Sequence, residues 1–260
     1  MTGASSGIGK AYATWIASKG YDLVITGRRE DLLEKVADDL KDRYHVSVKT
    51  IIAELSDDKD LKALLKTAAG MKDIVFLVNN AGYSSGEEFW KSQLDQHLKM
   101  LNVHVVATLK LTYAVLPQMI SNRSGTIINV SSLGAFTPAP GNTIYSGTKL
   151  FLNTFTESLY MEVKKYGIKL QCICPGYTYT DFHHRQHMSD NPGTKKILKW
   201  MEPETVVEKS MKALDRNLII YIPGWMNHVL IDISRVIPRK VYYKIMERQT
   251  GNVLKESETN

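Results

Sequence analysis

Thr2-Gly3-Ala4-Ser5-Ser6-Gly7-Ile8-Gly9 opens the chain, and its reading decides the fold. Glycines at 3, 7 and 9 allow a tight turn in which backbone can approach a phosphate closely, and the helix leaving the turn aims its first N–H groups at the anion. Downstream, strand and helix patterns alternate. Residues 11–18 suit the helix that leaves the turn, and 21–26 follow Gly20 as a short apolar strand. Residues 30–44 carry Leu32, Leu33, Val36 and Leu40 at helical spacing. Residues 46–52 read as a strand, and 58–69 as a helix with Leu61, Leu64 and Leu65 on one side. The run Ile74-Val75-Phe76-Leu77-Val78 is that of a strand covered on both faces. A long helical stretch over 94–119, a strand over 125–130, a helix over 144–165 and a strand over 169–174 ending at Pro175-Gly176 continue the series. A helix over 204–215 and a strand over 218–222 complete it.

Regular alternation implies an α/β fold with a doubly wound parallel sheet of the Rossmann type, in which ligands bind beyond the carboxyl ends of the strands. With 260 residues, 43% of them hydrophobic, the chain can bury one sizeable core. No Pro/Gly/Ser-rich linker divides it. Residues 1–222 are expected to form the dinucleotide-binding catalytic domain, and 223–260 a helical extension packed on or near the substrate site.

The net charge of +6 is mild and suits a phosphorylated cofactor or an anionic surface. No basic run with interleaved aromatics is present, so nucleic acid is not an expected partner. Two cysteines, Cys172 and Cys174, exclude a disulfide framework and suit a reducing compartment. Two apart on a strand, they face one side and read as buried apolar filler rather than as a metal or redox pair. Lys10 and the apolar residues after it read as a helix rather than a signal peptide, and no apolar stretch approaches the roughly 20 residues that span a bilayer. The expected location is cytoplasmic.

Two further stretches bear on chemistry. An acidic residue at the end of the second strand would accept hydrogen bonds from a ribose diol. Thr26-Gly27-Arg28-Arg29 stands there instead. Arg28 fits a 2′-phosphate by charge-assisted hydrogen bonds, which favours NADP(H) over NAD(H); a solvated helix start is the plain alternative. Tyr145-Ser146-Gly147-Thr148-Lys149 places a phenol and an ammonium on one helix face. A phenol of pKa about 10 is a poor acid or base at neutral pH, and a nearby ammonium is expected to lower that value. Alone, such a pair is common on ordinary helices as a half-buried ring and a solvated amine.

Together with Asn79-Asn80-Ala81-Gly82, Asn102 and Ser132, these motifs resemble the short-chain dehydrogenase/reductase family, in order and spacing, from Thr2 to about Ile222. The resemblance implies an oxidoreductase that moves a hydride between the dinucleotide and a carbonyl/alcohol substrate. It assigns Tyr145 as proton donor in reduction and base in oxidation. Lys149 holds the nicotinamide ribose, Ser132 bonds the substrate oxygen, and Asn102 anchors a water linking Lys149 to solvent. Gly3, Ser5, Ser6, Gly7, Ile8 and Gly9 resemble the pyrophosphate loop. Asn80, Ala81 and Gly82 resemble the stretch flanking the adenosine ribose, and Pro175, Gly176, Tyr177, Thr178 and Thr180 the segment holding the carboxamide. Glu54-Leu55 stands where the family has Asp with an apolar residue beside the adenine, and Glu has the longer reach. A homodimer or homotetramer through the long helices is implied.

Tyr83, Leu133, Phe136, Tyr177 and Phe182 follow strand ends and are expected to wall an apolar substrate site. His183, His184 and His187 read as part of a lid over the substrate rather than as metal ligands. In the tail, Pro223-Gly224-Trp225 precedes Val229, Ile233 and Val236 on one helix face, then Pro238-Arg239-Lys240. Similar tails occur in a subset of the family. Covering the pocket, joining subunits and lying on an anionic membrane compete as uses, with packing inside the molecule or dimer expected. Family members have an apolar strand before the glycine loop, in the middle of the sheet. Only Met1 precedes the loop here, so the sequence is expected to start downstream of the natural start. A catalytically impaired nucleotide-binding or scaffold protein is the alternative function.

Overall fold

The computed structural model describes residues 1–181 and 200–258. Parallel strands alternate with helices that cover both faces of the sheet. In chain order the first half holds α1 (Gly7–Ala17), β1 (Leu23–Gly27), α2 (Glu30–Tyr44), β2 (Val48–Ile52), α3 (Asp58–Gly70) and β3 (Phe76–Asn79). Then come α4 (Leu94–Leu101), α5 (Ala107–Asn122), β4 (Gly125–Val130), α6 (Thr143–Val163) and β5 (Ile168–Ile173). α7 (Pro203–Asp215), β6 (Ile220–Tyr221), α8 (Trp225–Val236) and α9 (Arg239–Glu258) complete the series. The period-two alternation of the strands divides the core. Val78, Ile128 and Ile173 face α1, α2 and α7, where Tyr12, Leu33 and Val207 are buried. Leu77, Ile127 and Leu170 face the other way, onto Leu61 of α3, Leu111 of α5 and Leu159 of α6.

The doubly wound parallel architecture matches the expectation from sequence, but the sheet is in two parts. β1 pairs with β2, and β3, β4, β5 and β6 pair in that order. Residues 1–4 join the parts at one end of the gap. The Met1 amine donates to the Val24 carbonyl at 2.7 Å. Thr26 N–H donates to the Met1 carbonyl at 3.0 Å, and Thr2 N–H donates to the Val78 carbonyl at 3.0 Å. Farther along the gap, the Tyr21 and Phe76 rings meet edge to face, centroids 5.4 Å apart. Of the run 74–78, only residues from Phe76 onward are strand, and there Leu77 and Val78 are buried on opposite faces as its composition suggested, while Val75 is exposed.

Other boundaries also move. α1 begins at Gly7, β6 shrinks to two residues, and Leu32 faces solvent while Leu33, Val36 and Leu40 are buried. The stretch 94–119 extends to Asn122 and is interrupted by a π turn at Asn102–Val106. Contrary to the sequence expectation, Leu94–Asn122 is long and apolar enough to span a bilayer by length and composition. Its apolar face is accounted for by the sheet, since Val103, Ala107, Leu111, Val115 and Met119 are core residues. Cys172 and Cys174 are buried and free, and both thiols donate to Asn153 Oδ1, at 3.2 and 3.4 Å.

After β6, α8 turns Ile231 into a cluster with Leu152, Cys172 and Cys174, against which Leu133 and Phe136 pack. Trp225, Val229, Ile233 and Val236 do share one face, and that face points outward. Tyr242 of α9 donates through its hydroxyl to the Pro138 carbonyl at 3.0 Å.

The gap between β1 and β3 generates a stability prediction. Fusing an apolar segment of five or six β-branched residues to Met1 should raise the melting temperature by more than about 5 °C. Each ladder hydrogen bond contributes about 0.5–1.5 kcal/mol, and 1 kcal/mol moves a chain of this size by about 2–4 °C. A thermal melt by circular dichroism, against a fusion of equal length in Gly and Ser, reads the difference.

Candidate active site

The carboxyl ends of β4 and β5 bring three of the four expected catalytic residues together. Ser132 stands two residues beyond β4, and its Oγ accepts from Gly134 N–H at 3.1 Å. The Tyr145 phenol, from the first turn of α6, is hydrogen-bonded to Ser132. The chain must pass close to that ring, because a Cβ on Gly134 would lie 3.1 Å from Tyr145 Cε1. One turn on, Lys149 is 4% exposed, with its Nζ donating to the Val130 carbonyl at 2.7 Å. The ammonium stands 5.7 Å from the centre of the Tyr145 ring. Asn102, the fourth residue, opens the π turn between α4 and α5, where its carbonyl accepts from Ala107 N–H.

One electrostatic expectation is overturned. Burial pushes Tyr145 up to about 12, more than its bond to Ser132 offsets. Burial also pulls Lys149 down to about 8. Desolvation dominates at this depth, so at neutral pH the phenol holds its proton and the amine is mostly charged.

Sequence reasoning missed His104. It is fully buried, and both ring nitrogens are bonded. Nε2 receives the Tyr83 backbone N–H at 3.0 Å. A backbone amide can only donate, so the ring proton sits on Nδ1 and is given to Thr148 Oγ1, 2.8 Å away. Thr148 in turn donates to the Tyr145 carbonyl at 2.7 Å. Burial and the nearby Lys149 charge hold His104 well below its ordinary pKa, and it stays neutral. The available signal was a polar ring inside an otherwise apolar helix, two residues after Asn102.

The glycine loop lies beside this group. Asn80 fastens it, with Nδ2 donating to the Thr2 and Gly3 carbonyls at 3.1 and 2.9 Å. The amides of Asn80 and Ala81 donate to Thr2 Oγ1. Gly82 approaches both His104 and Lys149, since a Cβ there would lie 3.1 Å from Nε2 and 3.4 Å from Nζ. Gly7, at φ +54°, sits against the Thr180 side chain and is the first residue of α1, with Ile8 and Gly9 after it. Ser6 precedes α1 without a side-chain cap bond, and the first turn carries no acidic residue. These features fit a phosphate at the N-terminus of α1.

A second cation, unassigned from sequence, stands beside the loop. Arg29 donates to Ser5 Oγ and Ser6 Oγ at 3.0 and 2.6 Å, and to Asp181 at 2.7 Å. Arg28 is turned away from the loop. It pairs with Glu54 at 3.2 Å and lies 5.9 Å from the Tyr83 ring centre. Arg28, Glu54, Ser56, Asp57, Tyr83 and Lys99 line a cavity of about 340 Å³. Tyr83, expected on the substrate wall, is therefore on this side. Leu55, only 6% exposed, packs in the core cluster that includes Leu61 and Leu64.

The segment after β5 closes the other side. Pro175's carbonyl accepts from Leu133 N–H at 3.0 Å, and Gly176 packs on Asn227 of α8 and on Leu133. Thr178 is buried, its hydroxyl donating to the Gly176 carbonyl at 3.0 Å. Tyr177 lies against Trp200, ring centres 5.3 Å apart. Phe182 and the three histidines His183, His184 and His187 lie outside the described residues. Among the described residues no group of His, Cys, Asp and Glu could hold a metal ion.

Comparison with known proteins agrees with this site. A family model described as "short chain dehydrogenase" matches residues 1–191, and the chain belongs to that family. The mouse very-long-chain 3-oxoacyl-CoA reductase is 34% identical over 251 residues, covering 95% of this chain and 77% of the mouse protein. A short-chain dehydrogenase from Sphingobium yanoikuyae, solved in complex with NADPH, superposes with a TM-score of 0.80. It is 28% identical, covering 92% of this chain and 94% of the other. L-sorbose reductase from Gluconobacter frateurii, solved with NADPH and L-sorbose, gives a TM-score of 0.74. It is 26% identical over 85% of this chain and 92% of its own.

The buried His104 generates the prediction here. Changing His104→Ala strands the Tyr83 amide and deprives Thr148 of its donor. Stability should fall by about 2–4 kcal/mol, with each stranded buried group costing about 1–3 kcal/mol. Urea unfolding followed by tryptophan fluorescence measures the loss.

Proposed function

We propose that the chain transfers a hydride between NADP(H) and the carbonyl/alcohol group of an apolar substrate, with Tyr145 as the proton donor of reduction. The observation that carries this reading is the convergence of Ser132, Tyr145 and Lys149 beside a glycine loop built to receive a phosphate. When bound, the dinucleotide supplies the hydride. Gly3, Ser5, Ser6, Gly7, Ile8 and Gly9 would hold its pyrophosphate end together with Arg29. Arg28 would hold the 2′-phosphate and Glu54 would stand beside the adenine, whereas Leu55, expected there from sequence, is enclosed in the core. Asn80, Ala81 and Gly82 would flank the adenosine ribose, Lys149 the nicotinamide ribose, and Pro175, Gly176, Thr178 and Thr180 the carboxamide.

Ser132 presents its hydroxyl beside the phenol, so a carbonyl oxygen seated between them receives two hydrogen bonds. With a pKa of about 12, Tyr145 arrives protonated and passes the proton to that oxygen as negative charge develops there. The Lys149 cation stabilises the phenolate left behind, and Asn102 would anchor a water through which the proton is replaced. His104 fixes the backbone beneath Tyr145 through Thr148. This electrostatic setting favours reduction at neutral pH.

The substrate side supports an apolar ligand. Ser132 is followed by Leu133 and Phe136, which pack against Ile231 of α8. The 223–260 extension is thus proposed as a wall of the substrate site, with Tyr177 opposite. The mouse relative is named for very-long-chain 3-oxoacyl-CoA reduction, which makes an apolar 3-oxoacyl thioester the first substrate to test. A homodimer or homotetramer is proposed through α5 and α6, where Tyr113 is 82% and Met161 63% exposed. The alternative of an inert nucleotide-binding scaffold is not favoured, because all three converging groups are present.

Loss of NADPH absorbance on mixing with 3-oxoacyl thioesters and a panel of ketones tests the reading. Tyr145→Phe should lower kcat/KM by at least about 10²–10⁴-fold while NADPH still binds. Undiminished turnover in that variant would refute the role of Tyr145. Reductive turnover should be steady at neutral pH and decline as pH rises through about 8, where Lys149 loses its charge. A rate profile over the neutral to alkaline range checks the sign.

A further inference from the structure

We propose that Glu54 sets the balance between the two pyridine dinucleotides by competing with the 2′-phosphate for Arg28. The inference rests on the reading of Arg28 as the group that meets this phosphate, and it adds a second residue whose effect has the opposite sign.

Glu54 is built to hold its charge in place. Its Oε1 accepts from both the amide and the hydroxyl of Ser56, at 3.2 and 3.0 Å. Its own amide donates to Asp60 at 2.9 Å, which fixes the backbone. Oε2 is left to face Arg28, 3.2 Å from Nη1. Burial works to raise the Glu54 pKa, but the Ser56 and Arg28 bonds and the Arg28 charge outweigh it and leave the carboxyl below its ordinary value. The carboxylate is therefore ionised across the working pH range.

Two consequences follow for a phosphate arriving at Arg28. Part of the guanidinium fork is already engaged, so the phosphate must either share the fork or displace the carboxylate. In both cases a fixed negative charge stands within a Debye length of a dianion, in a cavity that both residues line. A dinucleotide with a free 2′-hydroxyl brings no such charge and is untouched by the repulsion. Tyr83 restricts the escape of Arg28, whose guanidinium lies over its ring. The repulsion from Glu54 is thus felt by the phosphorylated cofactor and not by its counterpart with a free 2′-hydroxyl.

Dissociation constants for NADPH, NADH, 2′,5′-ADP and 5′-AMP, measured by calorimetry on wild type, E54Q, E54D and R28A, test this. E54Q should tighten NADPH and 2′,5′-ADP by about three- to tenfold relative to NADH and 5′-AMP. E54D, which keeps the charge but shortens its reach, should fall between wild type and E54Q. The E54Q advantage should shrink as salt is raised. A ratio of the phosphorylated to unphosphorylated ligands that is unchanged or lowered in E54Q, with the variant folded by circular dichroism, overturns the inference. R28A separates the two levels. It should collapse the wild-type ratio, and an R28A ratio equal to wild type overturns the Arg28 reading while the E54Q comparison still decides the role of Glu54.

Discussion

A buried ammonium is tolerated only where fixed dipoles replace the water it has lost, and Lys149 obtains that replacement from the end of a strand. The carbonyl of Val130, the last residue of β4, accepts from Nζ. Ser131 closes the arrangement from the same strand end by donating its hydroxyl to the Lys149 carbonyl at 2.8 Å. The charge is therefore tied to β4 at two points, and β4 is held on both sides by β3 and β5. Moving that strand end would move the cation, the phenol one turn away and the serine that follows the strand. Ser132, Tyr145 and Lys149 are therefore positioned together by β4 and α6.

The cofactor end is organised differently. Its loop is held by side chains from elsewhere in the chain. Asn80 and Ala81, just after β3, donate four hydrogen bonds to Thr2 and Gly3 of the loop. Arg29 adds bonds to both loop serines and reaches Asp181 after β5. His104 links Tyr83, on the edge of the cavity lined by Arg28 and Glu54, to the helix that carries Tyr145. Tyr83 and Tyr145 are thus joined by a short path of hydrogen bonds through the protein interior.

Much of this was legible in the sequence because it depends on local rules. The glycine spacing, the Tyr145–Lys149 interval and the alternation of strands and helices each follow from a few adjacent residues, and the structure reproduces the fold they imply. What stayed illegible depends on partners distant in sequence. Arg28 and Arg29 look equivalent in the chain, yet one meets Glu54 and the other meets Ser5, Ser6 and Asp181. His104 gives no periodic signal, and its importance comes from Tyr83 and Thr148. The direction of the Tyr145 shift was missed for a related reason: spacing reveals a neighbouring charge but not the depth of burial that overrides it. The outward turn of Trp225, Val229, Ile233 and Val236 likewise required knowing which side of α8 met the sheet.

The two cysteines have a practical consequence. Their thiols are enclosed and directed at one amide oxygen of Asn153, away from water. Burial also raises the Cys174 pKa well above its usual value, and such a thiol reacts slowly with alkylating reagents. A cysteine introduced on the outer face of any helix would therefore be labelled selectively in the unmodified background. Spin labels or fluorophores could then report distances within this protein without first removing its native sulfhydryls.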